Sequence, residues 1–272
     1  MSELIDLRVG GRPLTIEYSS VGNLAAHAPW LVILHEGLGS VALWKDFPAR
    51  LCEACGVRGL VYSRPGYGRS TPRPHSEHWA PDFMHRQASE VLPALLDALH
   101  APPRYGLFGH SDGASIALIH AAKFPDRTAA AMVLAPHILV EEQSIASIAE
   151  ARKAYLNTSL RDKLAHYHAD VDSAFWGWND AWLNPAFHNW SIQALLPDIR
   201  CPVLAVQGEK DAYGTMAQVD GIAAALPARQ CQLLRLKDCG HSAHLDQPQA
   251  VITAARSFFA RALQPTPAAV AP

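Results

Sequence analysis

Six short apolar runs recur along this chain, and segments with helical periodicity separate most of them. The runs are rich in Val, Leu and Ile and are bounded by turn residues: WLVILH (30–35), RGLVYS (58–63), RYGLFGH (104–110), AAMVLA (130–135), CPVLAVQG (201–208) and QLLRLK (232–237). Continuous apolar runs of this length are typical of strands buried on both faces. Their alternation with helices predicts an α/β domain with a mostly parallel sheet.

Further elements are predicted at both ends of this series. Alternating runs at 4–9 and 13–18 flank Gly10-Gly11 and predict an antiparallel hairpin at the start of the sheet. Apolar spacing predicts helices over 83–100, 112–124, 216–226 and 248–263. Pro93 falls within the first of these helices, so we expect a kink or a break there.

The stretch 138–197 interrupts the alternation, because it contains several helix-like pieces and no convincing strand. Four of the seven tryptophans lie in it, namely Trp176, Trp178, Trp182 and Trp190. Such a segment buries a large apolar surface, either as a cap over a pocket or as a self-contained helical core. We expect one discontinuous α/β core (1–137 and 198–263), a helical cap (138–197) and a flexible Pro/Ala-rich tail (264–272).

Composition narrows the choice of partners. The 272 residues carry a net charge of -2 and no run of Lys or Arg, which argues against nucleic-acid binding. There is no signal-peptide pattern and no apolar run near the roughly 20 residues of a membrane helix, so we expect a cytoplasmic protein with a small-molecule substrate. The five scattered cysteines are expected to be reduced thiols, and the pair Cys52 and Cys55 to be helix packing.

The strongest chemical motif, Gly109-His110-Ser111-Asp112-Gly113, follows a predicted strand and precedes a predicted helix. In that context the serine of a GxSxG pattern lies on a tight turn with its hydroxyl exposed near a helix N-terminus. A structural turn serine is the alternative, but the strand before and the helix after favour Ser111 as a nucleophile.

A serine hydroxyl needs a base to take its proton as it attacks. His241 lies on a loop just past the last predicted strand, and Asp211 follows the strand before it. We predict His241 as the base and Asp211 as the acid that orients it, in the chain order Ser111, Asp211, His241. Alternatives nearby are His244 for the base and Glu209, Asp238 or Asp246 for the acid.

An oxyanion hole requires backbone N–H donors close to the nucleophile. The residue after the nucleophile, Asp112, is the first candidate. Gly37, in the glycine-rich segment His35-Glu36-Gly37-Leu38-Gly39-Ser40, is the second. Glu36 is unusual here, because a carboxylate beside an oxyanion would repel it unless it is turned away or paired.

The motifs GHSDG, HEGLGS, SRPGYGRS, GEKD and DCGHSAHLDQP, in this order, resemble the α/β-hydrolase superfamily over nearly the whole chain. The resemblance implies an eight-stranded sheet flanked by helices, a Ser-Asp-His triad, two oxyanion-hole amides and a helical cap between strands six and seven. The segment 138–197 lies where that cap belongs. Loop 63–70 is similar to the family's structural loop after strand four, for which no catalytic role is implied.

The acidic residue after the nucleophile departs from the common family pattern. GHSDGASIALIHAAKFP also resembles the matching stretch of valacyclovir-hydrolase-like amino-acid esterases, where this acid recognises the amino group of the substrate. Asp112 therefore has two interpretations. It either pairs with a substrate ammonium or complements the N-terminus of its helix.

Together, the motifs and the resemblance predict a serine hydrolase that needs neither metal nor cofactor. We expect it to cleave a carboxylic ester of a small or medium, apolar or aromatic substrate through an acyl-enzyme. Hydrolysis of C–C, lactone or amide bonds by the same triad, and a non-catalytic receptor of this fold, remain open. Residues of the site loops and the cap are expected to bind substrate, namely His35, Glu36, Asp112, Trp176, Trp178, Trp182 and Tyr213.

Overall fold

The computed structural model describes residues 2–263, and these contain one sheet of eight strands. In chain order, β1 to β8 are Glu3–Val9, Arg12–Gly22, Trp30–Leu34, Arg58–Tyr62, Tyr105–His110, Thr128–Leu134, Val203–Gly208 and Cys231–Leu236. Their order across the sheet is β1-β2-β4-β3-β5-β6-β7-β8. β2 pairs antiparallel with β1 and β4, and the other pairs are parallel. The predicted mostly parallel, eight-stranded sheet is confirmed.

The inner parallel strands are mostly apolar because both faces of the sheet are covered. In β3, Val32 and Leu34 pack into one core while Leu31 and Ile33 pack into the other, as the two-residue period of a strand requires. Each of the six strands predicted from apolar runs, five inner strands and the edge strand β8, begins and ends within two residues of its observed bounds. Edge strand β8 is more exposed than the others of this group.

Helices cover both faces of the sheet and fill the connections between strands. In chain order, α1 to α10 are Phe47–Cys55, Phe83–Arg86, Leu92–Ala98, Asp112–Lys123, Glu142–Asn157, Leu160–Ala165, Val171–Trp182, Ala217–Ala225, Ala243–Asp246 and Pro248–Ala262. Short 3₁₀ turns occupy Pro185–Phe187 and Gln193–Asp198. Helices α1 and α10 pack together on one face, and α4 packs into the core on the other.

The helix predicted over 83–100 passes through Pro93 by means of a π turn. Between α2 and α3, Gln87–Val91 is π-helical, and Pro93 lies in the first turn of α3. A proline has no N–H to donate and its ring crowds the carbonyl four residues back, so a wider turn just before it accommodates the ring. The expected irregularity is therefore a local widening of a continuous helix.

The segment between β6 and β7 contains helices α5, α6 and α7 and the two 3₁₀ turns. An isolated antiparallel bridge between Leu139 and Ser191 closes its two ends on each other. Trp178, Trp182 and Trp190 are buried, and Trp182 is 1% exposed. The division into core and cap stays a prediction, but the helical character of 138–197 agrees with the pattern that suggested it.

The cysteines are unpaired, in agreement with the reduced thiols expected from the sequence. The five cysteines are free, and Cys52 on α1 is buried in the core. The tail predicted over 264–272 lies outside the described residues.

Within residues 2–263, none of the helices has the length and apolarity needed to cross a membrane. In the same range, no cluster of three or more His, Cys, Asp or Glu side chains could hold a metal ion.

Candidate active site

Ser111 lies on a strained turn between β5 and α4. Its backbone has φ 52° and ψ -121°, which a non-glycine residue adopts only when its surroundings enforce it. Gly109 and Gly113 allow this turn, because a Cβ at Gly109 would overlap the backbone of Gly113, and one at Gly113 would overlap carbonyls at the end of β3. The tight strand-to-helix turn expected for a nucleophilic serine is present here.

Asp211 and His241 are in direct contact. Nδ1 of His241 lies 2.9 Å from each carboxylate oxygen of Asp211. Asp211 also accepts hydrogen bonds from the Tyr213 backbone N–H (2.7 Å) and from the Gln207 side chain (2.8 Å). The carboxylate accepts Nδ1–H, so the other ring nitrogen, Nε2, keeps its lone pair and can take a proton.

The pKa values of this pair have identifiable causes. Burial lowers the pKa of His241 below its usual value, although its hydrogen bond to Asp211 opposes the change. Burial alone would raise the pKa of Asp211, but the hydrogen bond and charge of His241 outweigh it and lower that pKa. Near neutral pH the pair therefore consists of a carboxylate and a neutral imidazole, the forms a general base requires.

The alternative base and acids lie in other environments. His244 is buried among aromatic rings. Asp238 forms an exposed ion pair with a lysine (2.6 Å), and Asp246 accepts the backbone N–H of the residue before His241 (2.8 Å). Glu209 is exposed to solvent. Asp211 is thus the acid that contacts His241.

A cavity of about 200 Å³ opens over the Ser111 turn. Its wall includes Ser111, His241, Gly37 and Asp112, and Asp211 lies behind His241. Pockets for drug-sized ligands have volumes of roughly 300–1,000 Å³. The cavity therefore has room for a small group only.

The residues predicted to bind substrate divide into two sets. The set on the cavity wall comprises Glu36, Asp112, Trp178, Trp182 and Tyr213. His35 and Trp176 lie elsewhere. His35 is fully buried beside Arg64, and Trp176 packs against Phe175 and under a guanidinium group.

Glu36 is paired with His110, so its carboxylate is not an unpaired negative charge beside the predicted oxyanion hole. Its Oε2 lies 3.5 Å from Nδ1 of His110, and Nε2 of His110 donates to the backbone carbonyl of His241 (2.9 Å). Burial alone would raise the pKa of Glu36, but the proximity and charge of His110 outweigh it and hold that pKa well below its usual range. One imidazole thus links the loop of Glu36 and Gly37, the turn that carries Ser111 and the loop that carries His241.

Asp112 is buried at the N-terminus of α4 and is only 1% exposed. Its Oδ1 accepts a hydrogen bond from Nε1 of Trp182 (3.1 Å), and its Oδ2 lies 3.8 Å from Nη1 of Arg64. Burial raises the pKa of Asp112 to about 6, and the charge of Arg64 opposes that rise. The sequence suggested that Asp112 either pairs with a substrate ammonium or complements the N-terminus of its helix, and neither interpretation predicts its hydrogen bond to Trp182.

Sequence reasoning missed His137, which also lies on the cavity wall. It is 2% exposed, its ring meets Trp182 edge-on at 4.9 Å, and it lies 6.0 Å from the ring of His241. Burial, with a smaller effect of His241, lowers the pKa of His137 to about 3, so the ring is neutral. The sequence signal that could have identified His137 as a candidate site residue is its position just after β6, at the same sheet edge as Ser111 and Asp211.

Comparison with solved structures shows which proteins share this fold. An esterase from Thermogutta terrifontis is 18% identical with a TM-score of 0.71, covering 96% of this chain and 100% of that chain. Proline iminopeptidase of Mycobacterium smegmatis is 18% identical with a TM-score of 0.74, covering 95% and 98%. The enol-lactonase of Burkholderia xenovorans LB400 is 20% identical with a TM-score of 0.71, covering 93% and 99%. At these identities the likeness concerns the fold alone.

Sequence comparison identifies the family. No curated protein matches the sequence. The family model described as the alpha/beta hydrolase family, however, matches residues 31–255, which is most of the chain and includes Ser111, Asp211 and His241. The predicted fold is thereby confirmed, and the chain belongs to the alpha/beta hydrolase family.

Proposed function

We propose that this protein is a serine hydrolase that cleaves a carboxylic ester of a small or medium, apolar or aromatic substrate through an acyl-enzyme. One observation carries the proposal. Ser111 on its strained turn and His241 in contact with Asp211 border the same cavity. This combination supplies a nucleophile, a base and a group that orients the base.

In the proposed reaction, Oγ of Ser111 attacks the ester carbonyl while Nε2 of His241 takes the hydroxyl proton. Asp211 holds the ring by Nδ1 and stabilises the imidazolium that forms. His241 then gives the proton to the departing alcohol, which leaves an acyl group on Ser111. Water attacks this acyl-enzyme with His241 again as base. The second tetrahedral intermediate then collapses, the bond to Oγ breaks, and His241 returns the proton to Oγ of Ser111 as the carboxylic acid leaves.

The negative charge of each tetrahedral intermediate needs donors that are already in place. We assign this role to the backbone N–H groups of Gly37 and Asp112, two residues that line the cavity together with Ser111. Gly37 lies directly under the indole of Trp178, and a Cβ at this position would overlap that ring. Close packing of this kind fixes the loop that carries the donor.

The residues of the cavity wall favour a substrate with a small apolar or aromatic acyl group. Trp178, Trp182, Tyr213, Leu38 and Ile148 provide its apolar surface. Trp182 and Tyr213 also pack against His137 and His241 at 4.9 and 4.7 Å between ring centres, so the wall is aromatic close to the reacting atoms. Short linear and phenyl-substituted acyl groups fit this space better than long chains.

Asp112 is proposed as an anchor for α7 rather than as a receptor for a substrate ammonium. Its carboxylate is already engaged by Trp182 and faced by Arg64, and it is almost inaccessible. A substrate amine would have to compete with a buried guanidinium for the same charge. Esters of amino acids should therefore react no faster than esters of the matching acids without the amino group.

The test is turnover of p-nitrophenyl acetate, butyrate, octanoate and phenylacetate, with an alanine ester as the amino-group probe. Ser111→Ala should abolish turnover, whereas Ser76→Ala, on an exposed serine of another loop, should leave it unchanged. We expect butyrate and phenylacetate to exceed octanoate. Turnover that persists in a folded Ser111→Ala variant would overturn the proposal.

A second readout does not require the right substrate. A fluorophosphonate probe should phosphonylate Ser111 with loss of fluoride, and peptide mass spectrometry should locate the adduct there. Labelling without ester turnover would redirect the assignment to lactone, amide or C–C substrates, which should then be assayed. A folded protein that shows neither labelling nor turnover would favour a non-catalytic receptor.

A further inference from the structure

The backbone carbonyl of Glu36 accepts two hydrogen bonds from buried side chains. Nη2 of Arg64 donates to it at 2.8 Å, and Nδ1 of His35 donates at 2.7 Å. Both side chains are nearly inaccessible, with exposures of 1% and 0%. The backbone N–H of Gly39 donates to the same oxygen at 3.1 Å, and the three donors together fix the plane of the peptide that joins Glu36 to Gly37.

The tautomer of His35 agrees with this arrangement. Nε2 accepts the backbone N–H of Arg64 at 3.0 Å, so the ring proton is on Nδ1 and points to the Glu36 carbonyl. Burial, followed by the charge of Arg64, keeps the pKa of His35 well below its usual value. A neutral His35 with a single possible orientation therefore supports the guanidinium on the same oxygen.

The peptide plane determines where the N–H of Gly37 points. The Glu36–Gly37 peptide is trans, and in a trans peptide the C=O and N–H point in opposite directions. The carbonyl points at Arg64 and His35, neither of which lines the cavity that Gly37 borders. The N–H of Gly37 therefore points away from those two side chains, and donors on the carbonyl polarise the peptide and strengthen it as a donor.

Arg64 also faces the second proposed donor residue. Nη1 of Arg64 lies 3.8 Å from Oδ2 of Asp112, and its guanidinium carbon lies 4.8 Å from the centre of the Tyr67 ring. The guanidinium thus binds the carbonyl of the Glu36–Gly37 peptide and faces the carboxylate of Asp112, so it is close to both residues proposed to supply oxyanion donors. A buried cation in this position favours negative charge nearby, because little solvent screens it.

We propose that Arg64 is a positioning residue that orients and polarises the Gly37 N–H for a tetrahedral oxyanion, an inference that rests on the proposed function. It gives a role in the reaction to the loop after β4, for which the family resemblance implies only a structural one. Arg64 acts through the Glu36 peptide and does not touch the substrate. Its loss should therefore impair the transition state much more than substrate binding.

The test compares Arg64→Lys and Arg64→Gln with the wild-type protein. Lysine keeps the charge beside Asp112 but lacks the planar fork that places one nitrogen on the Glu36 carbonyl. We expect kcat on the preferred p-nitrophenyl ester and the rate of phosphonylation by the fluorophosphonate to fall about 100-fold, the scale of one lost oxyanion donor. KM should stay within about threefold. Arg69→Gln, on an exposed arginine of the same loop, is the matched control.

The outcomes separate this inference from the proposed function. If wild type neither turns over esters nor is labelled, the proposed function is what fails. If wild type reacts and a folded Arg64 variant reacts equally fast, the role of Arg64 is wrong. If both variants unfold, a crystal structure of the wild-type phosphonyl adduct decides. The phosphonyl oxygen should accept from Gly37 N–H while Arg64 remains on the Glu36 carbonyl, and a flipped peptide would overturn the inference.

Discussion

Trp182 donates a hydrogen bond from its indole Nε1 to Oδ1 of Asp112 at 3.1 Å, joining the last residue of α7 to the residue that follows the nucleophile. Both side chains are 1% exposed. Trp182→Phe keeps an aromatic ring but removes the pyrrole part of the indole and leaves a buried carboxylate oxygen without its donor, and the lost donor alone costs roughly 1–3 kcal/mol. We expect the free energy of unfolding to fall by at least that amount, because the smaller ring also loses packing, as measured by urea titration followed by fluorescence.

A double-mutant cycle identifies the source of this loss. Asp112→Ala removes both the acceptor for the indole and the charge that faces Arg64, and the double variant tests whether the two changes are coupled. We expect a coupling free energy of about 1 kcal/mol or more between positions 112 and 182. Purely additive effects would mean that the hydrogen bond contributes nothing to stability and that Trp182 acts by packing alone.

The sequence predicted much of the fold because the inner strands are buried on both faces. A strand such as residues 30–35 can then be recognised from its own apolar run, without knowing which strands pair with it. The sequence also brought the proposed nucleophile, base and acid together, since Ser111, Asp211 and His241 each follow a strand at one sheet edge and such residues converge in space. Their local contexts therefore carried the information.

Contacts between distant segments could not be predicted in the same way. The bond from Arg64 to the Glu36 carbonyl depends on the exact placement of two loops, which leaves no periodic trace in the sequence. The tryptophans of α7 were partly predictable. Trp178 and Trp182 are four residues apart and share a helix face, whereas Trp176 is two residues from Trp178 and points to another side. Helical spacing would have separated Trp176 from the cavity.

Asp211→Asn tests the orienting acid. An amide can present an N–H to Nδ1 of His241 and so favour the tautomer that places the proton on Nε2, where the base needs its lone pair. We expect kcat to fall about 10³- to 10⁴-fold with a small change in KM. Glu209→Gln, on an exposed carboxylate two residues away, is the control and should retain full activity. The reverse result would move the orienting role to Glu209.

The pH dependence of kcat/KM tests the state of His241. Below its pKa in the free enzyme, Nε2 carries a proton and cannot accept one from Ser111, so activity must fall on the acid side. Burial lowers the pKa of His241 from the usual 6.5, and hence the acid limb should have its midpoint below pH 6.5. Initial rates with a neutral ester, after checks that the enzyme survives each pH, give this midpoint. A midpoint above pH 7 would contradict the prediction.

Gly37→Ala tests the packing of the proposed oxyanion loop. The added Cβ would overlap the indole of Trp178, so the ring or the loop must move. We expect kcat to fall about 10- to 100-fold, because the Gly37 N–H shifts from its place beside Ser111. Replacing Trp178 by Leu in the same chain makes room for the methyl group and should restore part of the rate. No difference between Gly37→Ala and the double variant would mean that Trp178 does not set the loop position.

Buried histidines should make the fold sensitive to mild acid. Burial lowers the pKa of His120 to about 4 and that of His137 and of His244 to about 3, against 6.5 in the unfolded chain. Between these limits the unfolded state binds protons that the folded state does not, so the free energy of unfolding decreases as pH falls below 6.5. Each histidine contributes a loss of about 2 kcal/mol at pH 5. Asp112, whose pKa is raised to about 6, opposes this by about 1 kcal/mol at pH 5.

These four groups alone are expected to give a loss of about 5 kcal/mol between pH 8 and pH 5, a large part of the stability of an ordinary domain. The lowered pKa values of His35 and His241 act in the same direction. Urea titrations at several pH values measure it. His120→Gln is the matched variant, because His120 lies away from the cavity, bonded to Tyr105 and to the Ala88 carbonyl. It should lower stability at pH 8 but reduce the pH slope by about one proton, or about 1 kcal/mol per pH unit. Stability that stays constant from pH 7 to pH 5 would show that these imidazoles accept protons without unfolding, and that their burial is less complete in solution.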